Sequence, residues 1–181
     1  MKILAVALVL SCVCAQAAEY RRLDLAGSNI RFTSRQMGVP VDGAFRTFDA
    51  SLAFDPEAPT AASGQLRIDL SSVDIGLREV NEEVLGAQWF DVKRHPEARF
   101  EMRQIQPQGA GRFQVSGVLS LKGASQPLVL NALLKPSGKQ AVMEGSFVIK
   151  RLDFGIGSGP WGDVRVVANE VTVQVHLVLS P

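Results

Sequence analysis

Cysteine is confined to two residues, Cys12 and Cys14, both within the first 14 positions of this 181-residue chain. Everything downstream is free of thiols, so neither a disulfide nor cysteine chemistry serves the rest of the fold. Histidine is nearly as scarce. His95, which precedes a proline, and His176 stand far apart, and without cysteines they cannot assemble the usual zinc sets. Net charge is low as well: 19 Lys plus Arg face 18 Asp plus Glu, so no basic excess points to nucleic acid or a strongly anionic surface as a dedicated partner. No Gly-x-Ser-x-Gly elbow and no Ser-x-x-Lys pair occurs, which removes the commonest local signatures of a nucleophilic enzyme. Long apolar runs are missing beyond the start, and the first one, Ile3 to Val13, is well short of the roughly 20 residues a membrane-spanning helix needs.

That first run has the form of an export signal. Met1-Lys2 supplies a short positive region, Ile3 to Val13 the apolar stretch, and Ala15-Gln16-Ala17 the small residues a signal peptidase reads. Cleavage is expected after Ala17, with Ala18 as an alternative, leaving residues 18–181 as one exported domain, of a length that suits a single core. Val9-Leu10-Ser11-Cys12 loosely resembles a lipobox, but Leu10 is bulky for its position and the apolar run continues past Cys12, so an ordinary signal is preferred. A periplasmic location follows as an expectation.

What the remaining chain has in quantity is period-two alternation. Ile30, Phe32 and Ser34 alternate with Arg31, Thr33 and Arg35, and Phe48, Ala50, Leu52 and Phe54 with Asp49, Ser51 and Ala53. The pattern returns at Leu66, Ile68 and Leu70, at Phe100 and Met102, at Phe113 and Val115, and at Leu119 with Leu121. It closes with Val171, Val173, Val175, Leu177 and Leu179 opposite Thr172, Gln174 and His176. Val142 to Phe154 is apolar on both faces at Phe147-Val148-Ile149, so a cover over its outer side is expected. Turn residues separate these runs, and many short strands divided by turns indicate an all-β sandwich or barrel.

One stretch departs from it. Leu77, Val80 and Val84 recur at helical spacing, with Glu79, Glu82 and Glu83 on the other side and Asp74 upstream as an N-cap, so a short amphipathic helix is expected over Leu77 to Leu85, plugging one end of a barrel or packing on its flank. Gly157-Ser158-Gly159-Pro160-Trp161-Gly162 satisfies the spacing of a dinucleotide loop, yet strand patterns follow it where that loop must open a helix. Glu82 and Glu83 are neighbours on a helix that point apart, a solvated face in place of an acid/base pair.

Four segments taken in order resemble the YceI-like, polyisoprenoid-binding family. They are Gln36 to Phe45 with Phe48, Leu52 and Phe54-Asp55-Pro56; Ser71 to Asp74 with Trp89-Phe90-Asp91-Val92, His95-Pro96, Ala98 and Phe100; Gly117 to Gly123 with Pro127 to Leu130; and Lys150-Arg151-Leu152-Asp153-Phe154-Gly155-Ile156 with Gly159, Trp161 and Asn169-Glu170-Val171. The likeness runs from Leu23 to Leu179, and Gln36 stands where many members carry histidine. It implies a single antiparallel, eight-stranded, lipocalin-like β-barrel with one short helix, and a binding role for a long-chain isoprenoid or similar amphiphile.

On that reading Phe32, Phe48, Leu52, Leu66, Ile68, Phe100 and Met102 face a hydrocarbon slot. Arg151 and Asp153, on one face by strand parity, either attend its mouth or form a solvated or structural ion pair, Trp161 in the glycine-rich loop attends the mouth, and Trp89 and Phe90 either anchor the helix, the preferred role, or line the opening. No catalytic residue, metal or cofactor is expected, and transient membrane contact and a homodimer are compatible with the sequence. An enzyme acting on a barrel-bound lipid, or an interaction module with a filled interior, are the competing classes.

Overall fold

A computed structural model describes the chain from Glu19 to Pro181; the expected leader, both cysteines and the cleavage site lie outside the described residues. The elements are β1 (Arg22–Gln36), β2 (Val39–Phe45), β3 (Phe48–Ala53), β4 (Ser63–Asp69), β5 (Val73–Asp74), α1 (Arg78–Val84), β6 (Glu97–Gly109), β7 (Arg112–Leu121), β8 (Ala124–Ser137), β9 (Gln140–Lys150) and β10 (Glu170–Ser180). All ten strands join one antiparallel sheet in the order β3-β4-β6-β7-β8-β9-β10-β1-β2-β5.

Ten strands replace the eight expected, and the reason is a corner. The chain breaks at Arg46-Thr47 between β2 and β3 and at Leu70–Ser72 between β4 and β5, and the two breaks face each other. Arg46 N–H donates to the Ser72 carbonyl at 3.1 Å and Thr47 N–H to Ser72 Oγ at 3.0 Å. Asp69 accepts from Ser71 N–H at 2.8 Å and turns the second strand through a short 3-10 segment. Two bent strands are thereby each divided in two. The sheet curls far enough that Tyr20 and Phe54 exchange backbone hydrogen bonds at 2.8 and 3.0 Å, bringing the approach to β1 against the end of β3. The result is broadly lipocalin-like, with alternate side chains inward.

An apolar plug closes one end, where Tyr20, Phe54, Ile105, Phe113, Leu134 and Leu179 form a buried cluster. Phe113 meets Phe54 edge-on, ring centroids 5.3 Å apart, an arrangement aromatic pairs favour. A second cluster, including Leu70, Leu121, Phe154 and Ile156, packs with Trp89 and Phe90 at the other end, beside α1.

The helix runs over Arg78–Val84, within the expected span, but its N-cap position is Leu77 and no side chain caps it. Asp74 lies in β5 instead, taking Arg46 at 2.6 Å and the Gly76 N–H at 2.9 Å; Arg46 is the larger of the influences that hold its carboxyl below the usual range. The helix faces also differ from the expected ones. Val84 is buried, Leu77 is 62% exposed, and Glu79 and Glu83 stand with Val80 along the barrel opening. On β9 the expected outer cover is absent among the described residues: Phe147 and Ile149 point inward and Val148 is exposed.

Two glycines keep the interior open. Phe32 lies flat across Gly43 on the neighbouring strand, and a Cβ there would fall 2.3 Å from Phe32 Cζ. Phe100 lies over Gly117, where a Cβ would meet its Cζ at 2.6 Å and the Glu101 carbonyl at 2.3 Å. Each missing side chain lets a ring follow the wall in place of crossing the lumen. Gly43→Ala is expected to tilt the Phe32 ring and lower stability by roughly 1–3 kcal/mol, the usual cost of overpacking, measured as a fall in urea midpoint at unchanged slope.

Candidate functional site

Two cavities lie end to end inside the curled sheet. The larger, about 360 Å³, sits under α1 and the β9–β10 connection and is walled by residues that include Phe32, Phe45, Ile149, Trp89 and Trp161. The smaller, about 140 Å³, reaches toward the plug between Leu52, Leu66, Phe100, Met102, Met143 and Leu177. Ile30, Ile68, Leu119, Phe147 and Val173 border both and make a waist. The larger volume falls within the range of about 300–1,000 Å³ usual for ligand sites.

Eight of the ten site residues taken from the sequence border these spaces. Phe32, Arg151 and Trp161 line the larger cavity, Leu52, Leu66, Phe100 and Met102 the smaller, and Ile68 both. Phe48 and Asp153 line neither. Phe48 is buried at the first residue of β3, directly after the corner. Asp153 is exposed because β9 ends at Lys150: residues Arg151–Phe154 form a 3-10 turn, strand parity no longer applies, and Arg151 turns inward as Asp153 turns out. The two therefore do not form a shared face at the mouth. Phe147, Val171 and Val173 also wall the cavities; the alternation of β10 already carried that information for the two valines, whereas β9, apolar on both faces at Phe147-Val148-Ile149, gave no side to Phe147. Phe45, Glu79 and Glu83 had no such signal, since a corner and a helix rotation place them.

Arg151 is the best-satisfied polar group here and one of the most deeply buried, at 2% exposure. Its Nε donates to the Ala168 carbonyl at 3.0 Å, one terminal nitrogen to Ile156 and Gly157 at 2.7 and 2.8 Å, and the other to Trp161 and Val167, both at 2.7 Å. A guanidinium has five N–H donors, so every one is used, and all go to backbone carbonyls with no carboxylate among them. Desolvation pulls its pKa below the ordinary arginine value, yet an arginine stays a cation under such a shift. The clamp draws the chain from Ile156 to Ala168 into a rim over the larger cavity. Gly157, at φ +70°, permits the close approach: a Cβ there would lie 2.3 Å from an Arg151 terminal nitrogen and 3.4 Å from Trp89 Cζ3.

The opposite side of the rim is tied down similarly. Lys122 Nζ, on the β7–β8 turn, donates to the carbonyls of Ala87 at 2.9 Å and Gly155 at 2.7 Å, joining the segment after α1 to the clamped loop. Asp91, nearly buried at φ +55°, accepts from Arg94 Nε at 2.6 Å, and Arg94 holds its carboxyl below the usual range. These contacts present Trp89 and Phe90 inward. Trp89 packs against Trp161 with centroids 5.5 Å apart, and its buried Nε1 has no hydrogen-bond partner.

A curled antiparallel sheet enclosing a two-chambered apolar interior, sealed at one end and rimmed by loops at the other, defines the class of small lipocalin-like β proteins. Within it, residues 22–179 match the YceI-like domain, and the chain belongs to that family. It is similar to a UPF0312 protein of Azotobacter vinelandii, 32% identical over 151 residues that cover 78% of each chain. Another UPF0312 protein, from Photorhabdus laumondii, is 31% identical over 157 residues, 82% of this chain and 81% of its own. Among solved structures, Burkholderia cenocepacia BcnA superposes with a TM-score of 0.84 at 38% identity, over 86% of this chain and 98% of its own. A polyisoprenoid binding domain from Saccharophagus degradans, implicated in plant cell wall breakdown, shares the fold with a TM-score of 0.67 at 20% identity, over 91% of this chain and 98% of its own.

Replacing Arg151 by Lys tests the clamp. An ammonium has three donors and no planar fork, so at least two buried carbonyls lose their partner, at about 1–3 kcal/mol each. Arg151→Lys is expected to lower the unfolding free energy by at least about 2 kcal/mol, and to speed amide hydrogen exchange between Ile156 and Ala168 before the strands are affected.

Proposed function

We propose that this chain is a carrier for a long-chain isoprenoid or similar amphiphilic lipid, held in the interior of the barrel, and that it acts in the periplasm after removal of residues 1–17. The observation that carries the reading is the pair of cavities: the lumen is walled mostly by apolar side chains and narrows at a waist of aliphatic side chains and Phe147. An interaction module needs no such space, and its filled interior would leave none. The reading is of binding without chemistry, and it is supported by Arg151, the deeply buried cation near the site, whose every donor is engaged by backbone.

Energetics favour exchange with a membrane over capture from water. Each buried methylene contributes about 0.8 kcal/mol, so several five-carbon units taken from water would exceed any attainable affinity. Taken from a bilayer, where the same carbons are already buried, the transfer is close to neutral. The rim suits transient contact with such a surface. Met37 at 77% exposure, Val39, Leu77 and Val164 are four of the seven large hydrophobic residues that stand exposed among the described residues, and each lies within a few residues of cavity-lining positions in its own segment. Met37 also occupies a hairpin turn at φ +51°, a conformation for which Asn, Asp or Gly is favoured.

Native mass spectrometry of protein gently isolated from a periplasmic fraction tests this directly. A mature chain beginning at Ala18, carrying one lipid per chain that transfers to the organic phase on extraction, is the expected result. Protein that is repeatedly empty and takes up no polyprenol from vesicles would overturn the carrier reading. Val173→Trp, at the waist, is expected to close off the smaller chamber and shift the bound mass toward shorter chains, with the circular dichroism spectrum unchanged.

A further inference from the structure

We propose that lipid enters this barrel sideways, through a fork between β8 and β9 that opens toward the rim, and that Val129 and Val148, exposed on its two outer edges, meet the hydrocarbon of the donor bilayer. This rests on the carrier reading above and adds the route of loading.

β8 and β9 share a ladder along only part of their length. It runs from Ser137↔Gln140 to Asn131↔Ser146 and stops there, although β8 begins at Ala124 and β9 continues to Lys150. Ala124 to Leu130 pair with β7 alone, and Phe147 to Lys150 with β10 alone. The clamp gives the reason. Arg151 turns inward directly after Lys150, and the turn at Arg151–Phe154 packs against β8 where a ladder would otherwise continue. Gln126 Nε2 reaches the Asp153 carbonyl across this junction at 3.5 Å, the outer limit for a hydrogen bond. The fork is therefore closed by side chains: Leu128, Phe147, Ile149 and Phe154 belong to one apolar cluster. Rotamer changes can part such a closure without breaking a ladder.

Both sides of the seam are defined. Inside, Leu128 and Leu130 line the smaller chamber, Ile149 the larger, and Phe147 both, so the fork runs alongside the waist. Outside, Val129 and Val148 are the first outward positions past the last paired residues, one on each strand, and they are 56% and 53% exposed. Ser116 of β7 stands beside Val129, and Thr172 of β10 beside Val148. Asn131 and Ser146 follow below, so no charge interrupts the patch until Lys150 at the open end. An uncharged apolar strip continuous with an apolar lumen suits hydrocarbon.

The open end of the fork faces the rim, so a lipid can cross the wall with its head at rim level while only its tail moves between the strands. Entry by the mouth alone must lead with the tail if the tail is to finish beyond the waist. Its carbons would then leave the bilayer before the lumen covered them, forfeiting burial they already had. Through the fork each carbon passes from bilayer to lumen without crossing water.

Val129→Cys combined with Val148→Cys tests the route, since continuation of the register sets these positions opposite each other on the outer face, and no cysteine follows Cys14 in the sequence. Loading is followed from phosphatidylcholine vesicles containing geranylgeranyl anthranilate, read by energy transfer from the chain's two tryptophans, both of which border the larger cavity. The oxidised protein is expected to load and unload at least about tenfold more slowly than the same protein reduced, with the dissociation constant unchanged, because the staple blocks the route and leaves the site intact. A second comparison needs no disulfide. Val148→Asp is expected to slow loading, whereas Leu25→Asp, equal in charge but on β1 near the plug, leaves the rate unchanged. Equal rates for oxidised and reduced protein, with the bond confirmed by mass, overturn this inference while the carrier reading stands. Equal effects of the two aspartates do the same. Absence of any uptake by the unaltered protein overturns both readings.

Discussion

A barrel that keeps its interior partly empty gives up packing that an ordinary core would supply, so its ends must be held by something other than the contents. Here one end is held by hydrocarbon alone, and at the other a guanidinium and an ammonium bind backbone carbonyls beside a second apolar cluster. The cluster around Phe54 and Phe113 seals the first end by burial alone. At the second, the connection from Arg151 to Asn169 has little regular structure and leaves several carbonyls under the rim. Arg151 collects five of them and in doing so fixes Trp161, the Gly157 turn and the start of β10. Take that cation away and the mouth loses its shape before the sheet does.

The choice of arginine without a carboxylate follows from the same geometry. An ion pair would bring a second desolvated charge to the cavity wall, and buried pairs often return little for that cost. Five carbonyl dipoles spread the compensation over backbone that already has to be there. The residue-level consequence is a wall that carries a positive charge whose N–H groups all turn to backbone carbonyls.

Much of this was legible in the sequence wherever local pattern decides the outcome. The inward rows of β1, β4, β6 and β10 follow from period-two alternation, and Phe32, Leu66, Ile68, Phe100 and Met102 stand at cavity walls for that reason. Pattern failed where the chain changes conformation. Parity carried Asp153 to the same face as Arg151 because nothing in Lys150-Arg151-Leu152-Asp153 announces that β9 stops at Lys150; the stop is made by carbonyls of residues up to Ala168. Asp74 reads as a helix cap by spacing, but Arg46, 28 positions earlier, competes for it across the corner. The same corner divides two strands that a sequence pattern counts as single. In each case the deciding partner is distant in sequence, and the local signal is silent about it.

The two chambers are chemically unequal, and that inequality gives the site a direction. Around the smaller one the lining is mostly apolar, with Ser51, Ser63 and Gln65 its polar members and no charged side chain, and it ends on the aromatic plug. The charged side chains Glu79, Glu83 and Arg151 and the two tryptophans, with Ser34 and Gln36, border the larger one beneath the rim. An amphiphile in this interior would therefore lie with its tail past the Phe147 waist and its head under α1, because the reverse orientation would desolvate the head against hydrocarbon with no partner. The waist then separates affinity from selection: carbon beyond it contributes burial that any apolar chain can supply, while discrimination among ligands rests with the few polar atoms at the mouth.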